Sequence, residues 1–549
     1  MGLVLAQPKI TVDSSLLDYF IIAVYFVFVL GIGAVLRTRM RSSEDYFLSG
    51  RSLPSWVTGL AFLGANLGAL EVLGMGAGAA QYGIMQAHFY WIGAIPAMAF
   101  VALFMIPFYY GSRTHSIPGF LKLRYNEATR GFNAISFAVL MILMSGINMY
   151  AMAIVLKLLL GWTLTASIVL SAVIVLAYVV LGGLSSSIYN EVLQFFLITL
   201  GLVPLVLFGL IDVGGWSGLK QAVGNEGLFH LWAQTGGTDN PMAIQWYGIV
   251  VGLGFFISFG YWCTDFLVVQ RALAAEDEAA AQRTPLIAAF PKMLYGVLAI
   301  FPGLIVLTIL PNLGEGGGGI ANSYNMAIPY AMAHYFPTGM LGIGLTALLA
   351  SFMSGMAGNV TALNTVWTYD IYRAYIRPNA EDRHYLNMGR TATVVAVLIS
   401  AGTAYIVLGF ESIMDYVQLL HGIFFAPLLA TFLLGVFWRR TTAWGGFAGL
   451  LAGTILPCFL YVLELVGTIE YGSPMAGNFW RGCWAWTTSF VVTIVVSLVT
   501  TSKPREELTG LVYSLTPKSK SVERVWYKKP TVLAGTALTL ALALNIAFF

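Results

Sequence analysis

The sequence predicts an all-α polytopic membrane protein with about fourteen transmembrane helices. Of the 549 residues, 58% are hydrophobic and only 10% are charged, and the mean hydropathy is +0.79, whereas about 25% of the residues of a soluble domain are charged. Apolar stretches of the roughly 20 residues that a helix needs to cross about 30 Å of hydrocarbon recur along the chain. We place the spans near residues 16–36, 55–80, 83–110, 131–156, 163–181, 187–211, 244–270, 285–310, 329–370, 387–409, 413–437, 443–466, 481–500 and 530–548, with a short extracellular piece at the start of 329–370.

The first span is predicted to be retained, because no basic region, short apolar core and cleavage site of a signal peptide precede it. Orientation follows from the basic residues, since loops rich in Lys and Arg stay in the cytoplasm. With the N-terminus outside, nearly all basic residues collect in cytoplasmic loops, and the external ones are Lys9, Lys157, Lys220 and Arg481. We therefore predict a multi-pass protein of a cell (inner) membrane with both termini extracytoplasmic. The net charge of +3 reflects this topology and indicates the lipid bilayer, not nucleic acid, as the partner.

The order of the spans predicts two inverted repeats. Residues 55–211 hold five spans and residues 244–437 hold another five, and an odd number of spans inverts the second set relative to the first. An extracytoplasmic N-terminus, the first accessory helix and a cytoplasmic loop (1–54) precede them. An external loop (212–243) joins them, and three accessory C-terminal helices (438–549) follow. Inverted-repeat transporters have this layout, with sites at mid-membrane between discontinuous helices.

The second span contains the glycine-rich run GANLGALEVLGMGAGA at 64–79. Each glycine lowers helix propensity by about 1 kcal/mol relative to alanine, which permits an unwound segment. Irregular backbone at membrane depth persists only where it lines a cavity or is buried in protein. The freed carbonyls of Gly64 and Leu67 could face a cation, and the Asn66 side chain could reach a substrate. The alternative is that the glycines only let helices pack closely.

Glu71 stands inside this run with no basic residue beside it. An ionised side chain at the bilayer centre costs roughly 2.5–3.5 kcal/mol or more, so it should face a polar cavity or a partner. The alternatives are a carboxylate near the helix end that reaches the interface or one that bonds to a neighbouring helix.

Three further polar residues lie at comparable depths. Lys292 in IAAFPKMLYGVL is a basic residue within the eighth span and needs a carbonyl or carboxylate partner. Glu191 in SSSIYNEVLQFF favours the positive N-terminus of the sixth span or lies on an ion exit path. Gln418 in MDYVQLLHG suits hydroxyl recognition or a bond between two helices.

The sequence lacks the motifs of an enzyme or a resident cofactor. No nucleophile elbow, phosphate-binding loop or metal-ligand cluster is present. The three cysteines lie far apart, so neither a disulfide framework nor a zinc site is indicated. We expect no catalytic residues and no organic cofactor.

A family resemblance appears at SFGYWCTDFLVVQRALAAED, residues 258–277. This segment strongly resembles the sodium/solute symporter family, specifically its sodium-glucose cotransporter branch, although Phe266 replaces the first glutamine of a YWxxxQxxxQR-like element. Collinear matches extend the resemblance over about 400 residues: SSEDYFLSGRSLPSW at 42–56, the start of the glycine-rich run, LGGLSSSIYNEVLQ at 181–194, VWTYDIYRAYIRP at 366–378, NMGRTATVV at 387–395 and FLLGVFWRRTTAWGG at 432–446. It implies a leucine-transporter-like fold of two inverted five-helix repeats, with one helix before and three after, and alternating access driven by sodium.

The resemblance also implies a sugar site. It maps onto Asn66, Glu71, Lys292 and Gln418, with Tyr261 as the aromatic residue that stacks on the sugar and closes the inner gate. A ring face with several hydroxyls needs this mix of aromatic platform and hydrogen-bonding groups. Two positions depart from the family: Tyr90 stands where relatives carry Glu, and Ser258 where they carry Asn. Glu71 stands where they carry Gln or His, so it either accepts bonds from substrate hydroxyls or pairs with Lys292.

The family's sodium site maps onto Gly64, Leu67, Ser351, Ser354 and Gly355. Relatives have two adjacent serines where this chain has Ser354 and Gly355, so one hydroxyl ligand is absent. Either water or Ser351 Oγ substitutes for it, or sodium binds weakly and coupling is altered. In the latter case Glu71 or Glu191 would carry a proton.

The predicted function is secondary active transport: sodium-coupled symport of a neutral, glucose- or galactose-like sugar or a polyol by alternating access. Sodium is the co-transported ion and the sugar the small-molecule partner; no oligomeric state is indicated. The alternatives are a symporter of another small organic solute, a sodium-independent or proton-coupled carrier, and a sugar sensor.

Overall fold

A computed structural model of the protein describes residues 14–37, 49–112, 114, 116–232, 240–314, 319–516 and 525–549. The predicted extracytoplasmic N-terminus before residue 14, the cytoplasmic loop at 38–48 and part of the external loop 212–243 lie outside the described residues. Within them the regular structure is helical, apart from an isolated β-bridge between Leu53 and Ala275.

Nineteen helices carry the architecture, numbered here in chain order. They are α1 (Leu16–Arg37), α2 (Ser55–Asn66), α3 (Ala69–Tyr82), α4 (Phe89–Gly111), α5 (Ile117–Arg124), α6 (Glu127–Leu160), α7 (Leu164–Asp212), α8 (Gly215–Val223), α9 (Gly248–Thr264), α10 (Phe266–Leu273), α11 (Glu278–Leu298), α12 (Phe301–Ile309), α13 (Ala327–Tyr335), α14 (Met340–Ile376), α15 (Asp382–Thr403), α16 (Ile413–Phe437), α17 (Ala443–Leu465), α18 (Pro474–Val499) and α19 (Pro530–Ala547). Short 3-10 turns join several of them.

The predicted membrane spans correspond to these helices. Among the described residues, eleven helices are long and apolar enough to cross a membrane, or thirteen when each of two bent pairs counts as one span. The shorter apolar stretch Leu164–Ala177 accounts for the remaining predicted span. The sequence prediction of a multi-pass helical membrane protein is thus confirmed.

Two spans are interrupted, and their places in the chain match. α2 and α3 meet at an angle of 57°, and α9 and α10 meet at 48°. The break predicted from the glycine-rich run is therefore present, and a second break occurs five spans later. The interrupted span is thus the first span of each predicted repeat, 55–211 and 244–437. The repeat boundaries stay predictions.

The fifth and sixth predicted spans form one helical segment, α7, where the sequence predicts two separate helices. A straight helix of 49 residues would be about 74 Å long, more than twice the hydrocarbon thickness. Near its two ends, Thr165 bonds to Tyr405 at 2.8 Å and Asp212 bonds to Tyr335 at 3.2 Å. The two spanning helices α14 and α15 separate Tyr335 from Tyr405, which places both tyrosines on one side. Both ends of α7 therefore lie on the same side, which requires the chain to cross twice and to reverse direction within this helical segment.

The accessory helices pack around a buried core formed by α2, α7, α11 and α14. α1 is joined to the start of α14 because the Asp18 carboxylate accepts hydrogen bonds from Gly339 N at 2.8 Å and Gly342 N at 2.7 Å. These amides belong to a helix N-terminus, where they have no intrahelical partner. α17 and α18 pack on each other and on α16, while α19 covers α11. The orientation of both termini stays a prediction.

Candidate functional site

The break in the second span creates the local geometry of the site. α2 ends at Asn66, the Leu67 amide still bonds to Leu63 O at 2.9 Å, and Gly68 is extended with φ −65° and ψ 168°. A Cβ on Gly68 would lie 3.0 Å from both Gly355 Cα and Asn148 Oδ1. Glycine at this position thus lets the unwound backbone pack directly against α14.

A cavity of about 70 Å³ lies beside this break, walled by both interrupted spans together with α4, α6, α11, α14 and α16. Six of the seven predicted substrate residues line it: Asn66, Glu71, Ser258, Tyr261, Lys292 and Gln418. Tyr90 is not among the lining residues. The structure therefore brings together side chains that are up to about 350 positions apart in the chain.

Lys292 is the cation at the centre of this group. Its Nζ donates to Glu71 Oε1 at 2.5 Å and to Asn66 Oδ1. The same Nζ lies 4.4 Å from the ring centroid of Tyr90 and 5.6 Å from that of Trp262. Only 2% of the lysine side chain is exposed, so a carboxylate, an amide and two aromatic faces together replace its hydration shell.

This arrangement decides between the roles predicted for Glu71. The carboxylate lies in the first turn of α3, where the positive end of the helix dipole favours it, and it pairs with Lys292 across the cavity. Its side chain is 14% exposed and lines the cavity wall. Glu71 therefore does not reach for the membrane interface.

Tyr90 packs against the Lys292 ammonium and does not line the cavity. It is fully buried in the segment that begins α4 and presents its ring face to the Lys292 ammonium. A family carboxylate at this position would add a second negative charge beside Lys292. Among the described residues, Glu71 is the carboxylate that pairs with Lys292, and Tyr90 contributes a cation–π contact.

Tyr261 forms the aromatic wall of the cavity. Its hydroxyl accepts a hydrogen bond from Asn66 Nδ2 at 2.8 Å. Its ring stacks on His421 with centroids 5.0 Å apart and an interplanar angle of 28°. The first interrupted span, the second interrupted span and α16 are thus connected through one side chain.

Gln418, His421 and Asn359 each line the cavity with a buried polar atom that has no hydrogen-bond partner among the described residues. Gln418 Nε2 contacts Met414 Sδ at 3.4 Å, but Gln418 Oε1 and His421 Nε2 are buried without a hydrogen-bond partner among the described residues. Both side chains line the cavity. His421 follows Gln418 by three positions, and that helical spacing is the sequence signal that places it on the same face.

The four predicted sodium ligands lie together at the other side of the break. Ser351 Oγ donates to Leu67 O at 2.7 Å, and Ser354 Oγ donates to Gly64 O at 2.7 Å. The two carbonyls are at the end of α2, where the helix dipole is negative. Carbonyl and hydroxyl oxygens of this kind bind hard cations.

Gly355 lies where this group meets the cavity. A Cβ at this position would approach Asn148 Oδ1 and Gly68 Cα, each to 2.8 Å. The absence of a second hydroxyl is thus matched by the tight packing of Asn148 against the break. Asn148 is a cavity residue that no motif in the sequence indicates.

Glu191 forms a buried ion pair next to the predicted sodium ligands. Arg271 Nη2 lies 2.5 Å from Glu191 Oε1, and Arg271 Nε donates to Glu191 Oε2 at 3.2 Å; both side chains are fully buried. A Cβ on Gly64 would lie 2.6 Å from the Glu191 backbone oxygen. Glu191 lies inside the second crossing of α7, Leu184–Asp212, beyond its first turn, and Arg271 rather than a helix dipole compensates its charge.

Comparisons with known proteins agree with this geometry. The sodium:solute symporter family model matches residues 46–453. The chain is 30% identical over 472 residues to the sodium/glucose cotransporter of Vibrio parahaemolyticus, covering 82% of this chain and 86% of the relative. It is 27% identical over 497 residues to the sodium/myo-inositol cotransporter 2 of Mus musculus, covering 84% and 72%.

Solved structures show the same fold. A substrate-bound, outward-open sodium-coupled sialic acid symporter superposes with a TM-score of 0.75 at 19% identity, covering 89% of this chain and 99% of the other. A nucleobase-cation-symport-1 family transporter gives 0.52 at 12% identity, covering 84% and 96%. The leucine-transporter-like fold is thus confirmed. The chain belongs to the sodium:solute symporter family and is a sodium-coupled solute symporter, not an enzyme.

Proposed function

We propose that this symporter carries a neutral sugar of the glucose or galactose type, or a cyclic polyol, together with sodium. The observation that supports this most is the meeting of Asn66, Glu71, Lys292, Gln418 and Tyr261 around one cavity. The names of the relatives at 30% and 27% identity, a glucose and a myo-inositol cotransporter, support the same substrate class.

The chemistry of the wall suits a ring with many hydroxyls. Tyr261 offers an aromatic face, and Gln418 Oε1 and His421 Nε2 are polar atoms without a protein partner in the described part of the chain. Lys292 and Glu71 neutralise each other, so a neutral solute adds no unpaired charge to the site. A carboxylate substrate would compete with Glu71 for Lys292 and leave one anion uncompensated, at a high cost in a buried site.

Coupling between ion and solute would arise because both use the same break. Gly64 and Leu67, the proposed carbonyl ligands, flank Asn66, the proposed substrate contact. An ion between these carbonyls and the two serines would fix the backbone that carries Asn66. Fixing one site would then favour the other, and the effect is reciprocal.

Coupling to sodium fits this arrangement better than coupling to a proton. The two carboxylates considered as proton carriers, Glu71 and Glu191, are paired with Lys292 and Arg271. Protonating either would leave a buried cation without its partner. In a cell inner membrane with both termini outside, sodium entry would also gain about 2.3 kcal/mol per 100 mV of membrane potential.

Equilibrium binding to the purified protein tests the substrate class. Glucose, galactose and myo-inositol are titrated in sodium chloride and in choline chloride, with a sugar acid and an amino acid of similar size as controls. We expect at least one neutral polyhydroxy ring to bind, and to bind more tightly in sodium. Tight binding of the acid or the amino acid, with none of the neutral rings, would refute the proposal.

A further inference from the structure

The side chain of Asn148 lies beside two glycines, each of which directly follows a residue proposed to bind sodium. Its Oδ1 lies against Gly68, which follows Leu67, and against Gly355, which follows Ser354. A Cβ added at Gly355 would come within 2.8 Å of this oxygen, and one added at Gly68 within 3.0 Å. The amide oxygen thus fills the place where a side chain at position 355 would begin.

The direction of the amide is fixed by its two hydrogen bonds. Asn148 Nδ2 donates to Met144 O at 3.2 Å, one turn back on α6. Asn148 Oδ1 accepts from Leu70 N at 3.4 Å, in the first turn of α3. A carbonyl on one side and an N–H on the other leave a single assignment, with the oxygen toward the break. Asn148 is 1% exposed and lines the cavity, so its oxygen is desolvated. This oxygen could contact an ion at the break without a large rotation of the side chain.

We propose that Asn148 Oδ1 is an oxygen ligand of the co-transported sodium ion, supplying the side-chain oxygen that Gly355 lacks. The inference rests on the proposed sodium site and adds a residue from a third element to it. Hard cations gather several oxygens, and asparagine carbonyls are among the usual ligands. Asn148 and Gly355 form a matched pair, because the amide fits only where position 355 has no Cβ.

The matched pair also has a consequence for coupling. Gly64 and Leu67 belong to the broken span, Ser351 and Ser354 belong to α14, and Asn148 would bring α6 to the same ion. Sodium would then hold three helices together beside the cavity.

The test measures binding of sodium alone. Thermal unfolding of the purified full-length protein is followed while sodium chloride replaces choline chloride at constant ionic strength, since a ligand that binds the native state raises its melting temperature. We expect Asn148→Ala to raise the half-saturating sodium concentration by about ten-fold, the effect of losing one oxygen that contacts a charge.

Recovery of sodium affinity in double variants distinguishes a sodium ligand at position 148 from a residue that only packs there. In the double variant Asn148→Ala with Gly355→Ser, the amide no longer opposes the new Cβ, the contact with Gly68 Cα at 2.8 Å remains, and the serine hydroxyl should restore most of the lost sodium affinity. The double variant Asn148→Ala with Gly355→Ala has the same Cβ and the same contact with Gly68 but no oxygen, and it should not recover. Asn148→Leu, which keeps most of the volume, should bind sodium as weakly as Asn148→Ala.

Three outcomes would overturn the inference. The first is an unchanged half-saturating concentration in both Asn148→Ala and Asn148→Leu. The second is equal recovery with alanine and serine at position 355. The third is a protein that sodium does not stabilise before any substitution, a result that would remove the proposed sodium site itself and so is distinguishable from the other two.

Discussion

Lys292 Nζ lies 2.5 Å from Glu71 Oε1 within the cavity that both interrupted spans help to enclose. This pair answers why a carboxylate stands in a glycine-rich apolar run: its partner arrives from α11, more than two hundred residues later. Because the two charges cancel, this pair adds no net charge to the cavity, whose wall also includes Asp265 at the break between α9 and α10. That property underlies the proposed preference for uncharged rings.

Removing one member of this pair should cost stability, and removing both should cost less. Lys292→Met leaves Glu71 buried and unpaired, which we expect to lower the free energy of unfolding by roughly 3–5 kcal/mol. Lys292→Met combined with Glu71→Gln should recover much of that loss but not solute binding. Chemical denaturation of Lys292→Met, Glu71→Gln and the double variant, with solute titrations alongside, measures both effects. Additive losses in the double variant would contradict the pairing.

His421 should contribute to solute affinity and not to sodium affinity. His421→Phe keeps the ring that stacks on Tyr261 and removes the Nε2 atom that no described residue bonds. We expect the KM for the solute to rise about three- to ten-fold, the value of one hydrogen bond, with the half-saturating sodium concentration unchanged. His384→Phe, in α15 and away from the cavity, is the matched control and should leave both constants unaltered. Equal effects at the two histidines would contradict the assignment.

Gly64 should tolerate no side chain, because α7 passes directly against it. A Cβ there would lie 2.6 Å from the Glu191 backbone oxygen, so Gly64→Ala should cost about 1–3 kcal/mol in packing and weaken sodium-dependent uptake. At Gly402 a Cβ would meet nothing within 4 Å, so Gly402→Ala should be neutral or slightly stabilising. The sodium dependence of uptake and the free energy of unfolding are measured for both variants. Normal sodium dependence in Gly64→Ala would refute the close approach.

The Glu191 and Arg271 pair should behave differently from an ion pair at the surface. Glu191→Gln leaves a fully buried guanidinium without its carboxylate and should lower the free energy of unfolding by roughly 3–5 kcal/mol. Lys122→Gln removes only its pair with Glu127, in which the two side chains are 50% and 44% exposed, and it should cost less than about 1 kcal/mol. A similar, small loss at both positions would show that Arg271 has other compensation.

Much of the fold could be predicted from the sequence because the lipid bilayer imposes a simple rule of length and polarity. Most predicted spans correspond to one helix or one bent pair of helices, the fifth and sixth share α7, and the glycine-rich run marks the break at Leu67 and Gly68. The continuity of α7 could not be predicted. The glycines and serines at 182–187 favour a loop by composition, whereas the structure keeps them helical.

The site was predictable where a residue type is costly in an apolar span, as with Glu71 and Lys292. Uncharged residues gave no such signal. Asn148 becomes notable only because Gly68 and Gly355 approach it from two other elements, and Tyr90 faces Lys292 instead of lining the cavity. These relationships depend on long-range packing, which no local pattern records.

Sodium-driven accumulation in proteoliposomes tests the proposed coupling most directly. Labelled glucose, galactose and myo-inositol are offered to vesicles with an inward sodium gradient, and then with potassium or proton gradients of equal size and a proton uncoupler as controls. We predict that at least one of these solutes accumulates above its external concentration with the sodium gradient alone, and that the uncoupler has no effect. Equilibration without accumulation, or accumulation that follows the proton gradient, would contradict sodium coupling through the broken helix.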